Sequence, residues 1–431
     1  MRACSHHNLL ECFLVDELRS TARPRRIPIF SLLSANAVSQ VGDLMAVVAI
    51  PWFVLQTTGS AAKMGITGAA IGIGTVLAGI FGGPLVDRAG FKRTSVFADL
   101  ASGTAVALVP LLHTSAVGLA FWQLLLLVFL RSFLTTPGRG ARRALIPDLA
   151  RTARMPLTGA NAVDEAIQPL SFVIGPPLAG VLIVAIGSSN VLWLDAATFV
   201  LSALLVTLFV PATSGLAGAS SPSGPRGYFT QLLQGVSFVR GNTLILSLLL
   251  VVTVANLLDD PLISVILPVY AKSAYGGAAS LGLVLGGLGA GWLAGTVLYG
   301  AIGHYLPRRI TFILSFVAAG PLPYLVLATM PPLAVAVGAF ALAGTLGGPL
   351  NPLLITVTQE QTPQDMRGRV FGLLRALAVC GTPFGLLVGG FVVEGVGLRP
   401  TVIAMGICYL ALTLSMFLNP ALRGMEATKS R

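Results

Sequence analysis

Asp43 stands in Ser39-Gln40-Val41-Gly42-Asp43, well inside a long apolar run. An ionised carboxylate in hydrocarbon is costly, so such a residue needs a partner or a task. A membrane carboxyl that takes up and releases a proton is one such task, and Asp43 is the leading candidate for proton coupling. The other reading is a helix-packing aspartate bonded to a neighbouring arginine or hydroxyl. Arg131, inside a later apolar run, is the second candidate, as a relay partner or as an arginine that snorkels or pairs structurally. Asp259-Asp260-Pro261 interrupts a third run. Consecutive carboxylates do not readily both stay ionised in low dielectric, so one must be protonated or paired. Pro261 frees a carbonyl and can kink a helix, which is tolerated where the helix lines a cavity. A cavity-facing pair suits a cationic or polar substrate or a second proton site. A break near the outer interface, where aspartate costs little, is the alternative. Asn256, one turn before Asp260, shares that face. Gln40, Asn256, Asp259 and Asp260 form the candidate substrate cavity.

The elements that must position these residues are membrane helices. The 431 residues are 55% apolar and only 10% charged, with a mean hydropathy of +0.86. That poverty of charge excludes a soluble domain of this length. Apolar runs separated by Gly, Pro and charge clusters cover 28–56, 62–82, 95–112, 117–137, 162–186, 190–211, 243–270, 279–303, 310–330, 333–357, 368–393 and 400–419. Each approaches or exceeds the ~20 residues a spanning helix needs. The expected fold is all-α, with twelve transmembrane helices in two six-helix bundles, 28–211 and 243–420.

The formal charge of +11 suggests nucleic acid, but its distribution argues for orientation in a membrane instead. One set of loops carries Arg23, Arg25 and Arg26, then Arg88, Lys92 and Arg93, Arg139, Arg142 and Arg143, Arg308 and Arg309, and Arg367. The opposite set carries Lys63, Lys272 and Arg399. Both termini, 1–27 and 421–431, are therefore expected in the cytoplasm of a bacterial cell. The segment 212–242 is Ser/Gly/Pro-rich over Ser214–Gly227. Phe229, Leu232, Leu233, Val236 and Val239 then recur at helical spacing, as an amphipathic helix on the membrane face or as an early start to span seven. The four cysteines (Cys4, Cys12, Cys380, Cys408) have no paired spacing, so neither disulfides nor a metal site is indicated. The four histidines are scattered and there is no Walker-type phosphate loop, so neither enzyme nor ATPase is expected, and no cofactor.

Between the second and third runs stands Gly83-Pro84-Leu85-Val86-Asp87-Arg88-Ala89-Gly90-Phe91-Lys92-Arg93. It resembles the loop between helices 2 and 3 of the major facilitator superfamily, G-x-L-x-D-R-x-G-R-K, with Phe91 in place of the usual Arg. The resemblance implies a cytoplasmic gate of Gly83, Asp87, Arg88 and Gly90 that latches the halves in the outward-open state, with Arg139 or Arg142 as partner to Asp87. Gly300 to Arg309 is a degenerate second copy, as in proteins with internal repeats. Arg131-Ser-Phe-Leu-Thr135 is similar to the R-x-x-x-G of exporters in this superfamily but lacks the glycine. Gly175-Pro176-Pro177-Leu178-Ala179-Gly180 resembles the antiporter motif G-P-x-x-G-G with one glycine replaced. Pro137 to Asn161 is similar to the loop after helix four in the branch that includes macrolide-efflux and enterobactin-export proteins.

Taken together, these resemblances imply an exporter of a small amphipathic drug, natural product or siderophore. It would work as a monomer, by proton antiport and alternating access, with Asp43 and Arg131 handling the proton. Its partners would be the small-molecule substrate, protons and the lipid bilayer, with no nucleic acid. A lipid or lysophospholipid transporter, or an importer of the same fold, is the nearest alternative, and flux direction separates it. A non-transporting membrane sensor would call for a long soluble signalling domain, which the sequence lacks.

Overall fold

The computed structural model describes residues 25–116, 118–211, 234–364 and 366–426. The tail 1–24, the linker 212–233 and the last residues 427–431 lie outside the described residues. Among the described residues there are twelve helices long and apolar enough to span a membrane, and no strand. They are α1 (Ile27–Thr58), α2 (Ala61–Ala89), α3 (Phe91–Thr114), α4 (Phe121–Thr152), α5 (Leu157–Ile186) and α6 (Ser188–Phe209). The second set is α7 (Thr243–Ala274), α8 (Ala278–Tyr305), α9 (Arg308–Ala328), α10 (Leu333–Gln361), α11 (Val370–Val396) and α12 (Leu398–Leu418).

The first six spans pack among themselves, α1 on α5 and α6, α3 on α4 and α6, and α2 on α4. The second six do likewise, α8 on α10, α9 on α12, and α7 on α11. Two seams join the halves, α2 against α11 and α5 against α8. Both close by bare backbone. A Cβ on Gly65 would lie 3.0 Å from the Gly390 Cα, and one on Gly180 would lie 2.7 Å from the Ala278 carbonyl oxygen and 3.1 Å from the Gly282 Cα. Small residues permit this approach where hydrocarbon supplies no hydrophobic drive between helices.

The seams fix which end of the molecule is shut. Ser60, Lys272 and Ala278 sit at the end away from the basic loops, and there Glu394 accepts from the Ser60 hydroxyl and Lys272 Nζ reaches the Leu55 carbonyl at 3.3 Å. Towards the basic end the halves part. A Cβ on Gly79 or Gly140 would meet nothing within 4 Å.

The structure corrects one expectation and separates two readings left open. Span four does not stop at 137, because α4 continues as helix through Pro137 and Pro147 to Thr152. The stretch read as a loop after helix four is therefore mostly helical. A proline costs a helix one hydrogen bond, but a packed polytopic bundle supplies other partners and hydrocarbon forbids the coil. Ahead of span seven, residues 234–241 form a separate short helix, ended at Asn242, which is extended and caps α7 by accepting from the Ile245 N–H at 3.1 Å. Val236 and Val239 pack on Ile245, Leu249 and Val370.

Candidate functional site

The first half of the site begins with Gly42. A side chain there would collide with Thr198 and with the Asp195 carboxylate, so Gly42 is what lets α6 lie against α1. The contact brings Asp43 of α1 and Asp195 of α6 to either side of Arg131 on α4. One guanidinium nitrogen, Nη2, is 2.7 Å from Asp43 Oδ1 and 3.1 Å from Asp195 Oδ2. The guanidinium also lies 5.7 Å from the centre of the Phe199 ring, within cation–π range. Asp43 spends its second oxygen on Arg139, 2.7 Å away. Arg131 and Arg139 are eight residues apart on one helix, ~12 Å along its axis, so Asp43 bridges two turns of the same face. The Oδ1 of Asp195 is buried with no hydrogen-bond partner among the described residues.

Arg142, one turn beyond Arg139, points into the half-bundle and is 1% exposed. It holds Asp99 of α3 at 2.6 and 2.7 Å, Asn36 of α1 at 2.8 Å and Ser202 of α6 at 3.3 Å. Asn36 passes the chain on to Asp164 of α5, which pairs with Arg143 at 3.1 Å. An acid–base ladder thus runs from the middle of the first half to its basic end, stitching five of its six helices. Arg139 and Arg142 are held here by Asp43 and Asp99, while Asp87, the expected partner of one or the other, has its side chain outside the described residues. Both arginines turn inward because α4 stays helical. The side chains of Gly83, Asp87 and Arg88 lie outside the described residues, while Gly90 ends α2 at a φ of 79°, a conformation that suits glycine.

The second half is built on Pro261. Its missing N–H breaks the α7 ladder, and a π-turn follows over Leu262–Ile266. The Leu262 N–H bonds back to the Asp259 carbonyl, which leaves the Leu258 carbonyl free, and the Tyr324 hydroxyl donates to it at 2.6 Å. Asp259 and Asp260 are presented at this break. Asp259 accepts from the Tyr409 hydroxyl at 3.0 Å and Asp260 from the Thr382 hydroxyl at 2.5 Å. Among the described residues neither carboxylate has a cation within salt-bridge distance, whereas Asp43, Asp99, Asp164 and Asp195 all do. Tyr409 reaches Asp259 because its ring lies flat over Gly320, where any side chain would overlap it.

Between the halves lies a cavity of about 340 Å³, walled by α1, α2, α4, α7 and α11. Arg131, Asn256, Asp260, Ser264 and Thr382 are its polar residues besides Thr67 and Thr75, and Ile50, Met64, Ile71 and Leu386 are among its apolar ones. A second cavity, about 300 Å³, penetrates the second half and shares the Asn256 and Asp260 wall. Of the sequence candidates, Arg131, Asn256, Asp259 and Asp260 therefore face cavities. Gln40 lines neither, and Asp43 stands one residue behind, reaching the first cavity through Arg131. In the α5 motif, Gly175 packs on Leu44 of α1 and Gly180 on α8, while Pro177 meets Gly286. Asp195 and Asp99 were legible by the rule that singled out Asp43, since both are acids inside apolar runs. Tyr409, Thr382 and Glu394 carried no comparable signal.

Two bundles of six helices joined along glycine seams, with a cavity at their interface, form the architecture of a membrane transporter. The Major Facilitator Superfamily model matches residues 32–380 and 249–430, and the chain belongs to that family. It is 32% identical over 406 residues to the multidrug efflux pump Tap of Mycobacterium tuberculosis, covering 93% of this chain and 95% of Tap. It is 21% identical over 399 residues to macrolide efflux protein A of Streptococcus pyogenes, covering 90% and 95% of the two chains. The crystal structure of the nucleoside transporter NupG superposes with a TM-score of 0.70 over 90% of this chain and 98% of that one, at 13% identity, a likeness of fold alone.

Proposed function

We propose that this protein is a monomeric exporter of small amphipathic molecules driven by proton antiport, with the basic end and both termini in the cytoplasm. The observation that carries the reading is the position of Arg131. It faces the cavity between the halves and at the same time holds Asp43 and Asp195. A proton arriving on Asp43 removes the charge that holds Arg131 and Arg139, and leaves Arg131 to Asp195. Cavity occupancy and protonation thereby act on one guanidinium.

The orientation follows from charge. The open end carries the basic loops, which the positive-inside rule puts in the cytoplasm. In this cytoplasm-open state Asp43 is held by both Arg131 and Arg139, the arrangement the cycle needs once the proton has left. Substrate then enters, the glycine seams part at the far end, and the basic ends close with Asp87 as gate. Substrate leaves outward and a proton takes its place. The apolar character of the cavity wall, with few charges, favours drug-like compounds over sugars or phosphates. The names of Tap and of macrolide efflux protein A support export.

The test uses inverted membrane vesicles energised to an acid interior and followed with a pH-gradient dye. Adding a transported compound should release protons and restore dye fluorescence, and Asp43→Asn should abolish that release. Proton release unchanged in Asp43→Asn would remove Asp43 from the coupling role. Uptake of compounds in the opposite direction would replace export with import.

A further inference from the structure

The second cavity is lined wholly by the second half, by α7, α8, α9, α10 and α12. Its walls are aromatic and aliphatic, with Trp292, Phe316, Phe340 and Tyr409 among them. Its acids are Asp259 and Asp260, and among the described residues its lining contains no Arg, Lys or His. Asp259 has one oxygen on the Tyr409 hydroxyl and faces this cavity alone, whereas Asp260 stands at the partition, on the wall of both cavities. The contrast with the first half is chemical. There every buried carboxylate is neutralised by an arginine of the protein. Here the described residues supply hydroxyl donors and π-faces, and no cation among them pairs with either acid.

We propose that this pocket binds the cationic end of an amphipathic organic cation, with Asp259 as its counter-charge and Trp292, Phe316 and Phe340 as its wall. An ammonium set among aromatic faces gains cation–π attraction, and more of it when desolvated. A carboxylate without a protein cation gains a partner at the same moment, so binding offsets the cost of burying both. The volume is at the lower end of the range for small-ligand pockets, enough for a head group and one ring and not for a whole drug. The rest of the molecule extends past Asn256 and Asp260 into the interface cavity. The pocket thus selects by charge, while the interface cavity tolerates shape. The assignment rests on the export reading for its biological sense, but its test does not use transport.

The test is calorimetric binding to the purified full-length protein without a proton gradient. The probes are benzyltrimethylammonium and its uncharged carbon isostere neopentylbenzene. The cation should bind about tenfold more tightly or better, the factor that 1.4 kcal/mol of charge-dependent contact yields. Asp259→Asn should erase the preference, and Trp292→Leu should reduce it while leaving neopentylbenzene binding in place, which reports that the pocket is still folded. Equal affinities for the two probes in the wild type would overturn the proposal. So would a preference that survives Asp259→Asn and vanishes in Asp260→Asn, since the cation would then sit in the interface cavity. Cation binding that persists in a protein showing no substrate-driven proton flux would refute the export reading and leave this site standing.

Discussion

Glu394, near the end of α11, caps α2 across the interface: its Oε2 accepts from Ser60 Oγ at 2.5 Å and from the Ala62 N–H at 2.8 Å. Ser60 is itself the N-cap of α2, accepting from the Lys63 N–H at 3.1 Å. A carboxylate at a helix N-terminus satisfies orphan N–H groups and meets the positive end of the dipole. Here that interaction exists only while the far end of the transporter is shut. Glu394→Ala should therefore release the latch. Spin labels on the outer ends of α2 and α11 would show a longer distance gaining population at the expense of the short one. An unchanged distance distribution would mean that the glycine seam alone holds the end closed.

The seam itself makes a sharper prediction. A side chain at Gly180 would run into the backbone at Ala278 and Gly282. Gly180→Val should fold and reach the membrane, because it faces a partner half and not its own bundle. It should also be unable to close the outer end, so transport should fall to background while expression holds. Transport at wild-type rate in Gly180→Val would show that the two helices do not need to approach so closely.

Arg142 tests what the acid–base ladder contributes to stability. Removing one partner of a buried pair leaves the other uncompensated, which costs about 3–5 kcal/mol. Arg142→Met should lower the thermal unfolding midpoint markedly, by stranding Asp99. Arg142→Met with Asp99→Leu should recover much of the loss, since a packed apolar pair removes the unpaired charge. A double variant as unstable as the single one would show that the arginine's bonds to Asn36 and Ser202 matter more than its charge partner.

Much of this was legible in advance, for a physical reason. Hydrocarbon makes each span a continuous apolar run and makes each buried charge conspicuous, so the twelve helices could be read from residue types, and Asp43, Arg131 and Asp259-Asp260 stood out as charges inside them. What the runs do not carry is which charge meets which. Asp195 and Asp99 obey the rule that picked out Asp43, yet only the packing of α6 over Gly42 and of α3 against α4 shows that they share arginines with α1. The fate of Arg139 and Arg142 turned on Pro137 and Pro147. As punctuation in a soluble chain these would end a helix, and inside the bundle they do not. Tyr409 is one tyrosine in an apolar run, and its task depends on the bare backbone of Gly320 on the neighbouring α9.

Proton-driven export through Asp43 is tested most directly with purified protein in liposomes, comparing uphill accumulation with exchange. Wild type should concentrate a substrate when an inward-acid pH gradient is imposed, and should exchange labelled for unlabelled substrate without one. Asp43→Asn should still exchange, since the cavity walls are intact, and should fail to concentrate at any gradient. Accumulation at the wild-type level in Asp43→Asn would contradict the account, whatever the variant's rate of exchange.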